Sequence, residues 1–181
     1  MLTHLRPAIV LLALFTLLLG MAYPLAITGI AQAVFAHQAN GSQITVDGRV
    51  IGSDLIGQGF GTDRYFHPRL SAVDYNAAGS GGSNLGPLSQ KLMGRVGGDV
   101  EGQTGVPADA VTTSASGLDP DISPANALAQ VARVAAARGM AAEALTALVA
   151  AQTECRLLGV IGEPRVNVLR LNLAPDKTPA R

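Results

Sequence analysis

Hydrophobic and polar residues are distributed very unevenly along this chain. From Pro7 to Phe35 it reads PAIVLLALFTLLLGMAYPLAITGIAQAVF, and no formally charged residue occurs between Arg6 and Asp47. At about 1.5 Å per helical residue such a run reaches roughly 43 Å, more than a hydrocarbon core of about 30 Å requires. The pattern predicts one membrane-spanning helix over residues 7–35. Pro24 lies inside it, where a missing N–H is expected to kink the helix, and Tyr23 can meet a membrane interface.

Beyond Phe35 the apolar positions come in short runs. Ile44-Thr45-Val46 and Val50-Ile51 flank Asp47-Gly48, a dipeptide suited to a type I′ turn, and predict a β-hairpin. Leu55-Ile56 and Tyr65-Phe66 are candidate edges of further strands, separated by Gly57-Gln58-Gly59-Phe60-Gly61. Fifteen of the 21 glycines fall between Gly41 and Gly105, which predicts turns and short strands there and no long helix. Then the period changes. Ser123-Pro124 supplies an N-cap and a first-turn proline, and Ala125 to Arg138 follows without a breaker, with Leu128, Val131, Ala132 and Ala135 on one face and Gly139 as the stop. A second helix is predicted over Ala141–Thr153 through Leu145, Leu148 and Val149. The stretch Val166-Asn167-Val168-Leu169-Arg170-Leu171-Asn172-Leu173 alternates as a strand does. The fold class expected is α+β: a single N-terminal transmembrane helix, then one extracytoplasmic domain of short strands and about two helices, with Asp176 to Arg181 a flexible tail.

Charge refines this division. The 181 residues carry 13 basic and 13 acidic side chains, and only 14% of positions are charged, so no excess of either sign points to nucleic acid. Arg6 is the only formal charge before Asp47, and the other 25 of the 26 lie in residues 47–181. Arg6 and His4 precede the span, whereas the first basic residue after it is Arg49, which favours a cytoplasmic N-terminus (residues 1–6) and an extracytoplasmic domain (36–175). Ala31-Gln32-Ala33 imitates a signal-peptidase site. It lies about 14 residues past Leu17-Leu18-Leu19, however, in sequence that stays apolar throughout, so a retained helix is expected.

Catalytic signatures are missing. The chain has no phosphate-binding P-loop, complete G-x-G-x-x-G or G-x-S-x-G elbow, and Gly57–Gly61 has Thr62 where a dinucleotide loop needs its last glycine. Asp119-Pro120-Asp121 offers paired carboxylates to a cation but is better read as a helix entry. His67 is read as structural or surface rather than as a general base, and the lone Cys155, at a helix end, as an unpaired helix-face residue rather than a reactive thiol. Three histidines at 4, 37 and 67 and one cysteine make no metal site. The most distinctive loop is Ser80-Gly81-Gly82-Ser83-Asn84-Leu85-Gly86-Pro87, whose backbone N–H groups can face an anion or a partner's carbonyls.

A series of ordered segments then carries a resemblance. They are Gln38-Ala39-Asn40-Gly41-Ser42, Gly52 to Gln58, Tyr65-Phe66-His67-Pro68-Arg69, Tyr75-Asn76, Ser80 to Pro87, Val106-Pro107-Ala108-Asp109, Ser114 to Pro120 and Gly162 to Leu169. Together, over about residues 20–173, they resemble the KdpC family, the C subunits of bacterial Kdp potassium-transporting P-type ATPases. The resemblance implies a complex in the bacterial inner membrane in which a pore subunit passes potassium and a P-type subunit hydrolyses ATP with magnesium, with a small single-span subunit beside them and lipid around the helix. No catalytic site is expected in this subunit itself. Asp176-Lys177-Thr178 resembles the start of the P-type phosphorylation motif, but Pro179 and Ala180 depart from it.

The family is described as a catalytic chaperone that raises the ATP affinity of the hydrolysing subunit. Ser80, Gly81, Gly82, Ser83 and Asn84 look like the Leu-Ser-Gly-Gly-Gln signature of ABC transporters, and the resemblance implies nucleotide contact there. An extracytoplasmic loop conflicts with cytosolic ATP, so the outer domain is expected instead to cap or brace the pore subunit near its potassium entrance. Candidate partner contacts are Gly20 and Gly29 in the span and Tyr65, Phe66, Arg69, Tyr75 and Asn76 outside it, with burial in the core the alternative at each outer position. The rival classes are a tethered sensor or binding module and a tethered hydrolase.

Overall fold

The computed structural model describes residues 2–102 and 104–176. It divides into two compact units, one running to Gln43 and one beginning at Ile44.

The first unit holds the apolar helix that the sequence predicts to cross a membrane. Helix α1 (Leu5–Leu17) passes through a wide π turn (Leu18–Ala22) into α2 (Tyr23–Val34), and a short α3 (Ala36–Ala39) follows. Residues Leu5–Val34 reach a mean hydropathy of 2.3 with none of that window buried, and among the described residues this is the one helix long and apolar enough to cross a membrane. Proline explains the π turn. An interior Pro removes its own N–H and pushes its ring at the carbonyl four residues back. Opening the preceding turn relieves that contact, so the Tyr23 N–H donates to Leu18 O, five residues back.

The second unit begins with the hairpin that Asp47-Gly48 predicts. Strands β1 (Gln43–Val46) and β2 (Arg49–Ser53) are joined by Asp47 at φ 50° and Gly48 at φ 76°, the two left-handed positions of a type I′ turn. Helices α4 (Gln90–Val100) and α5 (Ala108–Val111) follow a long irregular segment. Next come β3 (Asp121–Ile122), α6 (Pro124–Arg138), α7 (Ala142–Gln152), β4 (Thr153–Glu154), β5 (Arg165–Asn167) and α8 (Val168–Asp176). β5 is the middle of an antiparallel sheet, pairing Ile122 with Val166 on one side and Thr153 with Val166 on the other. Phe66, Ile122, Ala127, Val131, Val134, Leu145, Val149, Val166, Val168 and Leu171 form the core. The α+β class expected from sequence is the class observed.

Several expectations are corrected. The alternation over 166–173 is not one strand, because Val168, Leu171, Asn172 and Pro175 are also spaced i, i+3, i+4, i+7, and burying that stripe makes α8. Only Arg165–Asn167 stays extended, and Asn167 Oδ1 then accepts the Arg170 N–H, as an N-cap does. The glycine-rich half does hold an 11-residue helix, α4, started by Ser89, whose Oγ accepts from Leu92 N–H. Leu55-Ile56 and Tyr65-Phe66 lie outside the strands. The second unit has five helices among its described residues, not about two. The buried face of α6 is Ala127, Val131, Val134 and Ala135, whereas Leu128 is 46% exposed and Ala132 is exposed. Asp176 ends α8 and pairs with Arg138 at 2.7 Å, while the rest of the expected tail, 177–181, lies outside the described residues.

The start of α6 carries a pH-sensitive cluster. Ser123 Oγ accepts the Asn126 N–H at 3.0 Å, and the Asp109 carboxylate accepts from Ser123 N–H (2.8 Å), Ser123 Oγ (2.8 Å) and Asn126 Nδ2 (3.0 Å). Burial alone would raise the Asp109 pKa, but these donors outweigh it and hold the carboxyl below its ordinary value. A depressed carboxylate stabilises the fold above its unfolded pKa of about 3.9, and that contribution disappears as pH falls through the lower folded value. Asp109→Asn is therefore expected to cost about 1 kcal/mol at pH 7 and to flatten the stability profile below about pH 4. Urea unfolding of the two proteins in micelles at pH 7 and pH 3.5 checks this, with unequal losses at the two pH values the expected result.

Candidate functional site

The loop singled out by sequence is built into the fold through its backbone. Gly81 N–H donates to Ser116 O at 2.8 Å and Ser80 Oγ to the same carbonyl at 3.0 Å. A β-carbon at Gly82 would stand 2.9 Å from Ala115 O, and one at Gly117 would stand 2.7 Å from Gly81 O, so segments 80–82 and 114–118 lie main chain against main chain. Ser71 locks the junction from below, donating to Gly117 O at 2.7 Å while accepting from Val73 N–H and Tyr75 N–H. The Gly81 N–H is thus spent within the fold rather than turned to a ligand.

Further along, the loop opens onto a cleft of about 460 Å³. Gly82, Ser83 and Leu85 line it together with Ser71, Ala72, Thr113 and, from α4, Lys91 and Arg95. Arg95 donates to Thr113 Oγ1 and to Val111 O at 3.1 Å, which fixes its guanidinium, and Lys91 stands one turn earlier on the same face of α4. Two cations and serine hydroxyls lining one cleft suit an anion. Lys91 and Arg95 carry no signal of their own in the sequence: the glycines of this segment predict no long helix, and only a helix brings positions four apart to one wall. Asn84, at φ 52°, is exposed and does not line the cleft.

The other candidates fall into different environments. Phe66 is 1% exposed and belongs to the core, not the surface. Arg69 is half-buried, bonding Asp119 at 3.1 Å and Thr112 Oγ1 at 3.1 Å, and so clips two segments together. The Tyr75 hydroxyl donates to Arg69 O at 2.8 Å, and burial, with the nearby Asp74 charge, raises its pKa. Tyr65 is half-buried between Phe60, at 5.4 Å between ring centres, and the Arg138 guanidinium 5.2 Å from its ring. Asn76 is exposed and caps a local turn through Ala78 N–H. In the span, Gly20 and Gly29 are both open, with nothing within 4 Å of where a β-carbon would lie.

Metal and acid–base readings gain nothing from the geometry. Asp119 turns to Arg69 and Asp121 to Arg165 at 3.3 Å, so the two carboxylates do not converge, and no group of three or more His, Cys, Asp or Glu suited to a metal occurs among the described residues. The His67 backbone N–H donates to Gln130 Oε1 at 2.8 Å and its Nε2 lies 3.2 Å from Thr62 O, a structural setting.

A second surface was not legible in advance. Leu157 and Ile161 bridge antiparallel across a turn in which Leu158 (φ 53°) and Gly159 (φ 77°) are left-handed, and Leu157, Leu158, Val160 and Ile161 are 65%, 85%, 76% and 59% exposed. Cys155, at the base of this hairpin, also borders an apolar cleft of about 340 Å³ lined by Pro124, Leu128, Thr146, Val149, Ala150 and Thr153. Exposed aliphatic patches of this kind mark contact surfaces.

Comparison with known proteins supplies the context. Residues 5–177 match the family described as KdpC, K+-transporting ATPase, c chain. A potassium-transporting ATPase KdpC subunit from Allorhizobium ampelinum is 60% identical, with 97% of this chain and 97% of the relative covered. One from Caulobacter vibrioides is 57% identical over 97% and 94%, and one from Bradyrhizobium diazoefficiens 55% identical over the whole of both chains.

Proposed function

The chain belongs to the KdpC family, the c chains of K+-transporting ATPases, and from that premise we propose that it is a non-catalytic subunit which anchors in the inner membrane through Leu5–Val34 and braces the potassium-passing pore subunit from outside. The observation that carries the reading is the family match running unbroken from the span through the outer domain. Three features support bracing rather than chemistry. The distinctive loop is committed to main-chain packing, His67 is held by Gln130, and the exposed aliphatic hairpin at 157–161 is a surface made for contact. Arg6 before the span and Arg49 after it support a cytoplasmic N-terminus.

The test is purification of the tagged chain from membranes of cells grown in low potassium. A P-type ATPase and a large pore subunit are expected to co-purify with potassium-stimulated ATPase activity; a solitary chain would refute the subunit role. On intact spheroplasts, a membrane-impermeant maleimide is expected to label Cys155, the chain's one cysteine, and protection until lysis would reverse the orientation.

A second reading, participation in ATP affinity, is favoured by Ser83 sharing its cleft with Lys91 and Arg95. It predicts that Ser83→Ala with Asn84→Ala raises the KM of the complex for ATP severalfold. Bracing predicts no change.

A further inference from the structure

The cleft lined by the glycine-rich loop and α4 carries positive charge that the chain itself does not neutralise. Lys91 and Arg95 both line it, no Asp or Glu does, and neither cation forms an ion pair among the described residues. Arg95 is half-buried. Its Nη1 donates to Thr113 Oγ1 and its Nη2 to Val111 O, and its Nε is buried without an acceptor. A guanidinium held in this way is fixed, partly desolvated and short of a counter-charge, which is unfavourable until an anion arrives. Lys91 is exposed and makes no hydrogen bond among the described residues, so its ammonium can close on whatever enters. Ser83 is half-buried, and its hydroxyl has no partner among them either.

The chemistry left over favours a carboxylate. Both Nη groups of Arg95 are occupied, so the paired N–H fork that grips a phosphate is not on offer, and the donors remaining are one ammonium and one hydroxyl. Two positive charges balance one or two carboxylates and fall short of a nucleoside triphosphate. The cleft holds about 460 Å³ with Ala72 and Leu85 in its lining, room for a side chain and its apolar stem rather than a small ion alone. A subunit that admits a cation gathers it with Asp and Glu at its entrance.

We propose that this cleft is the receptor for an acidic side chain, Asp or Glu, on an extracytoplasmic loop of the potassium-passing subunit, with Lys91 as the mobile partner and Arg95 as the fixed one. The proposal rests on the bracing reading and gives the brace a point of attachment. Charge complementarity selects the occupant: an apolar or basic loop would leave both cations unanswered. The bonds from Arg95 to Thr113 and Val111 hold α4 in place beforehand, so the receptor is preorganised.

Lys91 and Lys177 are the only lysines in the chain, so a carbodiimide, which joins an amine to a carboxylate in direct contact, reads the site without ambiguity. The complex is purified from membranes through the tagged full-length chain, treated with carbodiimide, digested and analysed by mass spectrometry. An amide between Lys91 and an Asp or Glu of the pore subunit is expected. Lys91→Glu is expected to lower retention of that subunit after a detergent challenge about three- to tenfold, whereas Lys91→Arg keeps the charge and the retention but loses the link. Co-purification of the pore subunit without a Lys91 link, or wild-type retention by Lys91→Glu, would overturn the receptor and leave the subunit reading standing. Normal retention by Lys91→Glu with a raised KM for ATP would give the cleft to a nucleotide instead. Failure of the wild-type chain to retain any partner would overturn the subunit reading and the receptor with it.

Discussion

Asn172→Leu is expected to lower the stability of the second unit by about 2–5 kcal/mol, the largest effect of any single substitution considered. The reason is a backbone tie made by a side chain. Asn172 is 2% exposed, and its Oδ1 accepts the Phe66 N–H at 2.7 Å while its Nδ2 donates to Phe66 O at 2.9 Å. Phe66 is buried outside the sheet, so its main chain has no strand neighbour, and the amide of Asn172 takes the place of one. Leucine keeps the branching at Cγ and adds no charge but is bulkier than asparagine, so the loss combines two orphaned polar groups, at about 1–3 kcal/mol each, with overpacking of a buried site. Asn172→Asp should be at least as damaging, since it keeps the acceptor, removes the donor and buries a charge. Urea unfolding of the full-length chain in micelles, followed by circular dichroism, measures both. A loss below about 1 kcal/mol for Leu would mean that solvent reaches Phe66.

Gly117→Ala is the second, expected to cost about 2–4 kcal/mol. Gly117 has φ 69°, where a β-carbon is strained by about 1–2 kcal/mol. That β-carbon would also lie 2.5 Å from Val73 Cγ2 and 2.7 Å from Gly81 O. The valine can turn away, but the carbonyl belongs to the main chain and cannot, so overpacking adds about 1–3 kcal/mol. The damage should be directional. Moving segment 80–82 off 114–118 opens one wall of the 460 Å³ cleft while leaving the sheet and α6 to α8 in place. Hydrogen exchange is the direct readout: Gly81 N–H, bonded to Ser116 O, should lose protection well before the amides of α6. Uniform loss across the domain would show that this junction is not a separable unit.

Local grammar was legible wherever one signal dominated. The apolar run, the Asp47-Gly48 turn, the Ser123-Pro124 start of α6 and its Gly139 stop, at φ 68°, all stand where residue chemistry puts them. Elsewhere two signals competed. Val166 to Leu173 fits period 2 and period 3.6 alike, and tertiary burial decides for helix after Asn167. Glycines at 94, 97 and 98 argued against α4, yet Ser89 caps it and Arg95 ties it to Thr113 and Val111. The cleft followed that error out of sight. Loop Ser80–Asn84 was recognisable as unusual, but what it touches, segment 114–118, lies some thirty residues away and leaves no trace in its own composition.

The position of β5 in the sheet also has a temporal meaning. Its two neighbours, β3 and β4, do not touch each other, and the strand that joins them comes from residues 165–167, followed at once by the helix that supplies Val168, Leu171 and Asn172 to the interior. These are among the last residues of the domain to be synthesised, and the tie to Phe66 closes a loop of 106 residues. Earlier segments can form a hairpin or a helix by themselves, but they have no sheet to complete and a gap where the interior should be. In chain order the sheet and the interior are therefore completed only by the last strand and helix of this unit.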